Sequence, residues 1–126
     1  MNPPEIAPVT KHLDQAMLAS YAAASRDFNP IHIDEEFARG TPFGGTIAHG
    51  MLVLAFISEM MTAAFDERWL RGGQLDVRFR SPARPGDLVT ARATPAKPAE
   101  RLLKYSVECV NQKGDVLISG TAQVAL

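Results

Sequence analysis

Gly50-Met51-Leu52-Val53-Leu54-Ala55-Phe56-Ile57-Ser58-Glu59-Met60-Met61-Thr62-Ala63-Ala64-Phe65 is apolar nearly all round and carries one charge, Glu59. A membrane-spanning helix needs about 20 apolar residues. This run is shorter and interrupted, so it reads as a helix buried inside a folded domain. Such a helix has to be wrapped, and the residues after it supply the wrapping. Leu75, Val77 and Phe79 alternate with Asp76, Arg78 and Arg80, the period of a half-buried strand, and further alternating runs follow at 88–94, 101–110 and 116–126. Turn-forming stretches separate them at Pro82–Asp87, Pro95–Pro98 and Lys113-Gly114-Asp115. Strands joined by links this short form an antiparallel meander, and one sheet curling round one very apolar helix is an α+β architecture.

Upstream of the helix, a short extended start at Ile6–Val9 precedes an Ala-rich helical segment, Asp14 to Ala24. Met17, Leu18 and Tyr21 fall on one face of it, and Asp14 is placed to cap it. Asn29-Pro30 keeps Asn29 out of the helical region, which predicts an ordered loop over residues 27–32. Asp34–Gly40 reads as one or two helical turns, acidic at the start and closed by glycine, and Thr41–Thr46 as a flexible connection.

The 126 residues suit one domain with one core, residues 1–126, and the balance of 46% hydrophobic to 21% charged residues is that of a globular protein. A net charge of −1 gives no reason to expect nucleic acid or a membrane surface as partner. The charge is nonetheless uneven, because residues 71–104 carry eight Lys/Arg against three Asp/Glu. Arg78, Arg80, Arg92 and Lys104 are either the water-facing positions of strands or a landing strip for an anionic, phosphorylated carrier. Cys109 is the sole cysteine and shares an apolar alternation with Leu103, Tyr105 and Val107, which makes it a buried packing thiol. With no internal disulfide possible and no secretory pattern in Met1–Glu5, a cytoplasmic protein is the expectation.

The chemistry concentrates in Ala24-Ser25-Arg26-Asp27-Phe28-Asn29-Pro30-Ile31-His32-Ile33-Asp34 and in Ile47-Ala48-His49-Gly50-Met51. Together these two motifs resemble the MaoC-like dehydratase family of the (R)-specific enoyl-CoA hydratase type. Its hydratase motif has the form Asp-x-Asn-Pro-x-His, and its central helix is entered through His-Gly-Met. The resemblance runs from about Tyr21 to Ser58. It implies a hotdog fold, an antiparallel sheet wrapped around the central helix, with Asp27 and His32 as the acid/base pair. One departure is Arg26, which stands where the family often has glycine.

Hydrating a double bond conjugated to a thioester requires a water to be held and deprotonated and a proton to be delivered to the neighbouring carbon, work that suits a carboxylate and an imidazole. A proline-bearing loop that folds back can bring Asp27 and His32 to one water molecule. Negative charge builds on the thioester oxygen as water adds, and Gly50, opening the long helix, offers it an unpaired backbone N–H at the positive end of the helix dipole. The resemblance gives Gly50 the same role and adds a supporting serine two turns on, matched by Ser58. The alternative for the Ser58 hydroxyl is a bond back to the Leu54 carbonyl. Asn29 either forms the turn or orients the pair, and His49, the residue before the helix, is divided in the same way between a local hydrogen bond and support of the pair. His12 reads as solvated.

The implied reaction is reversible hydration of a trans-2-enoyl-CoA to the (R)-3-hydroxyacyl-CoA, without metal or redox cofactor, by a homodimer. Three other readings compete. The first is a dehydratase acting on 3-hydroxyacyl groups on acyl carrier protein, and the second a non-catalytic hotdog subunit of a heteromeric complex. The third is an iron site built from His32, Asp34 and His49, disfavoured because a helix begins at the second histidine and Asp34 serves more simply as a helix cap. Pocket-lining residues are expected in the 41–46 connection and along the central helix.

Overall fold

The computed structural model describes residues 3–126, so Met1 and Asn2 of the N-terminal stretch read above lie outside the described residues. Five strands form one antiparallel sheet in the order β1-β3-β4-β5-β2, where β1 is Val9–His12, β2 Gln74–Phe79, β3 Leu88–Pro95, β4 Leu102–Val110 and β5 Val116–Ala125. Consecutive strands β3, β4 and β5 make the expected meander. β2 departs from it, pairing with β5 at the far edge rather than with β3. The link from Arg80 to Asp87 therefore has to cross the sheet. It is tied down on the way, as Arg80 N–H donates to Leu117 O and Ala83 O accepts from Ala48 N–H just before the long helix. That crossing carries residues of the link to the helix entrance, where the site lies.

The helix α4, Gly50–Phe65, has the range its composition predicts. Leu52, Val53, Phe56, Ile57, Met60, Met61 and Phe65 are buried, in one cluster with Val89 and Ala91 of β3, Leu103, Tyr105, Val107 and Cys109 of β4, and Ile118, Ala122 and Val124 of β5. Each strand contributes alternate residues because successive side chains point to opposite faces. The helix is not enclosed on every side, however. Met51, Ala55, Glu59 and Ala63 recur once per turn and stay exposed, and Glu59 is paired with Lys11 Nζ at 3.0 Å.

Gly120 sets how closely β2 can lie. It stands opposite Val77, and a Cβ on it would fall 2.1 Å from the Asp76 carbonyl oxygen. After α4 comes a short helix that the sequence reading does not contain, α5 (Glu67–Gly72), introduced by Asp66 at φ 49°.

The segment between β1 and α4 carries three helices: α1 (Gln15–Ser25), α2 (Pro30–Ile33) and α3 (Glu35–Arg39). Asp14 caps α1 by accepting from Met17 N–H at 2.8 Å, and Asp34 caps α3 by accepting from Phe37 N–H at 3.0 Å. Residues 30–32 of the predicted loop, with Ile33, instead form a single helical turn, with proline at its start and the Asn29 side chain as cap. The connection at 41–46 is also more ordered than its composition suggests. Thr41 Oγ1 donates to Ala38 O at 2.6 Å, and buried Thr46 bonds to Gln15 Oε1 at 2.7 Å. His12 is exposed at the end of β1.

Candidate active site

α1 ends at Arg26, whose backbone is left-handed at φ 63°. Only glycine takes this conformation without strain, which is a physical reason for glycine at the position where Arg26 departs from the family pattern. The reversal delivers Asp27 into a net of short-range bonds. Its N–H donates to Ser25 Oγ at 3.2 Å, and its Oδ1 accepts from Asn29 N–H at 3.2 Å. Asn29 Oδ1 in turn accepts from Ile31 N–H at 3.1 Å. Asn29 is therefore both the turn former and a holder of Asp27, through its main chain rather than its amide.

The turn of α2 then presents His32. Its Nδ1 donates to Ile47 O at 2.7 Å, and because a carbonyl can only accept, the hydrogen sits on Nδ1 and Nε2 faces Asp27. The separation of His32 Nε2 from Asp27 Oδ2 is 3.9 Å. That is too long for a direct hydrogen bond and short enough for one water to touch both atoms. The pair is unequally buried, the His32 side chain being 12% exposed and that of Asp27 53%.

Behind the pair stands His49, 3% exposed, whose ring stacks on His32 with centroids 3.8 Å apart and 23° between planes. Asp27, His32 and His49 offer potential ligand atoms within 4.8 Å of one another. The two rings lie face to face, His32 Nδ1 and His49 Nε2 are each taken up by a main-chain carbonyl, and Asp34 of the iron-site reading is occupied as the cap of α3.

Gly50 opens α4 beside this cluster, and no hydrogen bond among the described residues uses its N–H, as expected at a helix start. His32 and Gly50 both border a cavity of about 320 Å³, with Phe43, Val53, Phe79 and Ile118 among its apolar walls. The 41–46 connection and α4 contribute as expected. β2 and its link to β3 contribute too, through Phe79 and Arg80, which sequence reasoning had only as an alternating strand and a basic section. Arg80 Nε donates to Ser119 Oγ at 2.9 Å, which holds the guanidinium at the cavity wall. Arg92, by contrast, is paired with Glu108 and so behaves as a strand's water-facing residue. Ser58 does not border that cavity. Its hydroxyl accepts from Trp69 Nε1 at 3.1 Å, neither turned to the cavity wall nor bonded back to Leu54.

Comparison with known proteins agrees with this geometry. The sequence profile described as MaoC like domain matches residues 3–113. The (R)-specific enoyl-CoA hydratase of Rhodospirillum rubrum is 32% identical over 120 residues, 94% of this chain and 83% of the relative. A mitochondrial 3-hydroxyacyl-[acyl-carrier-protein] dehydratase of Arabidopsis thaliana is 33% identical, covering 86% of this chain and 68% of its own. Among solved structures, the (R)-hydratase of Aeromonas caviae involved in PHA biosynthesis superposes with a TM-score of 0.83 at 29% identity, over 98% of this chain and 97% of that one. With its sheet packed on α4 in the hotdog arrangement, the chain belongs to the MaoC-like domain family.

Proposed function

We propose that this MaoC-like hydro-lyase catalyses the reversible hydration of trans-2-enoyl-CoA to (R)-3-hydroxyacyl-CoA, with Asp27 and His32 as the acid/base pair. The observation that carries the reading is the 3.9 Å gap between Asp27 Oδ2 and His32 Nε2, beside the unpaired N–H of Gly50 and an apolar cavity. A water in the gap loses one proton to the pair while its oxygen adds to C3 of the enoyl group, and C2 takes a proton from the pair. Both additions come from one side, so they are syn. The charge that moves onto the thioester oxygen is met by the Gly50 N–H at the positive end of α4. Neither metal nor redox cofactor enters this scheme. Asn29 and His49 support the pair, whereas Ser58 has its hydroxyl engaged with Trp69 and is given no part.

The decisive assay follows loss of the conjugated enoyl-thioester absorbance. Asp27→Asn and His32→Gln should each lower kcat by about 10²–10⁴-fold, and wild-type rates in either variant would sink the assignment. The 33% identity to a carrier-protein dehydratase favours one second reading, the same chemistry on an acyl carrier protein. Matched enoyl-CoA and enoyl-carrier substrates separate the two by kcat/KM. The reading also includes a cytoplasmic homodimer. Exposed Phe28, Met51 and Phe79, together with the free edge of β2, give a second copy apolar surface to cover near the site. An active monomer in sedimentation would refute that part. Among the described residues no helix is long and apolar enough to cross a membrane.

A further inference from the structure

We propose that His49 is a positioning residue that holds both members of the Asp27/His32 pair, by a hydrogen bond to the main chain of one and by its ring face on the other. The inference rests on the hydration reading for what the pair does. The contacts themselves do not depend on that reading.

His49 stands at the N-cap of α4, a position whose usual occupants bond back to the helix, yet it makes no capping bond. Its Nε2 reaches away to the carbonyl oxygen of Asp27, 22 residues earlier in the chain, at 3.0 Å. A carbonyl only accepts, so the hydrogen is on Nε2, and Nδ1 is left bare, buried and without a partner among the described residues. An aliphatic side chain would fill this space without bringing a bare acceptor of its own into it. What the imidazole supplies in its place is the Nε2–H and a flat face. The face lies on the His32 ring at 3.8 Å, and the Tyr21 ring packs against His49 at 4.9 Å, tilted by 55°.

The two contacts complete restraints that are otherwise partial. His32 is fixed at one nitrogen by Ile47 O, which leaves the ring free to swing about that bond unless its face is covered. Asp27 is held at its N–H and at Oδ1 by Ser25 and Asn29, both exposed. Among the described residues, the bond to its carbonyl is the one hydrogen bond to Asp27 that comes from a buried side chain. Errors of about 1 Å in such a pair can cost on the order of 10²-fold in rate.

Two substitutions divide the contacts. His49→Phe keeps a flat face and loses the donor. His49→Gln keeps an N–H four bonds from Cα, as in histidine, and loses the face. The expected results are a fall in kcat of about 10–100-fold in each variant with KM within about threefold, because each keeps one contact and loses the other. Wild-type kcat in a folded His49→Phe or a folded His49→Gln, or a loss confined to KM, would overturn the proposal. A measurement on the wild-type protein does not depend on either variant folding. Nitrogen-15 NMR of the labelled histidines should show His49 as the Nε2–H tautomer with a slowly exchanging ring proton, and an Nδ1–H tautomer or a rapidly exchanging proton would also overturn it. If the NMR result holds and the protein hydrates no enoyl thioester, the reaction reading falls and the contact stands.

Discussion

Replacing Arg26 by glycine and, separately, by alanine isolates the backbone reversal that delivers Asp27. Both changes remove the guanidinium, so any effect of its charge on the end of α1 or on Asp27 is common to the two, and the difference between them is one Cβ. At φ 63° that Cβ costs roughly 1–2 kcal/mol. Glycine gives back about 0.5–1 kcal/mol because its unfolded chain is more mobile. The glycine variant should therefore be the more stable by about 0.5–1 kcal/mol, equivalent to roughly 2–4 °C in Tm for a chain of this size. Urea unfolding followed by fluorescence of the sole tryptophan, buried Trp69, reads the difference directly. The Arg26 side chain is exposed and makes no ion pair or hydrogen bond among the described residues, so kcat should be equal in both variants and in the wild type. An alanine variant as stable as the glycine variant would refute the left-handed conformation. Loss of activity common to both variants would show that the guanidinium acts on Asp27.

Gly50→Ala would place its Cβ 2.9 Å from the Phe79 ring, which is exposed and can swing aside. The melting temperature should change little, while hydration falls by about 10²-fold as methyl and ring crowd the thioester oxygen, and unchanged kcat would remove Gly50 from the oxyanion role. Gly120→Ala meets backbone instead, at 2.1 Å from Asp76 O and 2.7 Å from the Val77 Cα, so β2 has to leave its register. Unfolding in urea should show a loss of at least about 2 kcal/mol. Burial, and secondarily the Glu108 carboxylate, push the Cys109 thiol up from 9.0 to about 12. The folded state keeps the thiol proton longer than the unfolded chain, so stability is intact below about pH 9 and is lost on rising towards about pH 12, by at most about 1.4 kcal/mol per pH unit. Cys109→Ala should flatten that limb of the stability curve between pH 9 and 10, and an unchanged slope would refute the assignment.

What could be read in the sequence and what could not divide by the range of the interactions involved. Asp14, Asn29 and Asp34 accept from backbone N–H groups two or three residues ahead, and a bond of that range leaves its mark in residue type and spacing. The apolar run of α4 and the alternation of the strands record burial, which is imposed on each residue by its own position. β2 is different. Nothing in Gln74–Phe79 distinguishes β5 from β3 as its neighbour, and that choice brings Phe79 and Arg80 to the cavity. The partner of Ser58 is hidden for a related reason, since Trp69 sits on α5, a helix whose first residues carry no capping side chain to announce it. His49 shows the limit most clearly. Its acceptor is the carbonyl of Asp27, and because every residue has a carbonyl, no side-chain pattern could have nominated that one. The motif thus exposes the groups that do chemistry, whose identities are restricted, while the groups that hold them act through main-chain atoms that become visible only when the chain is folded.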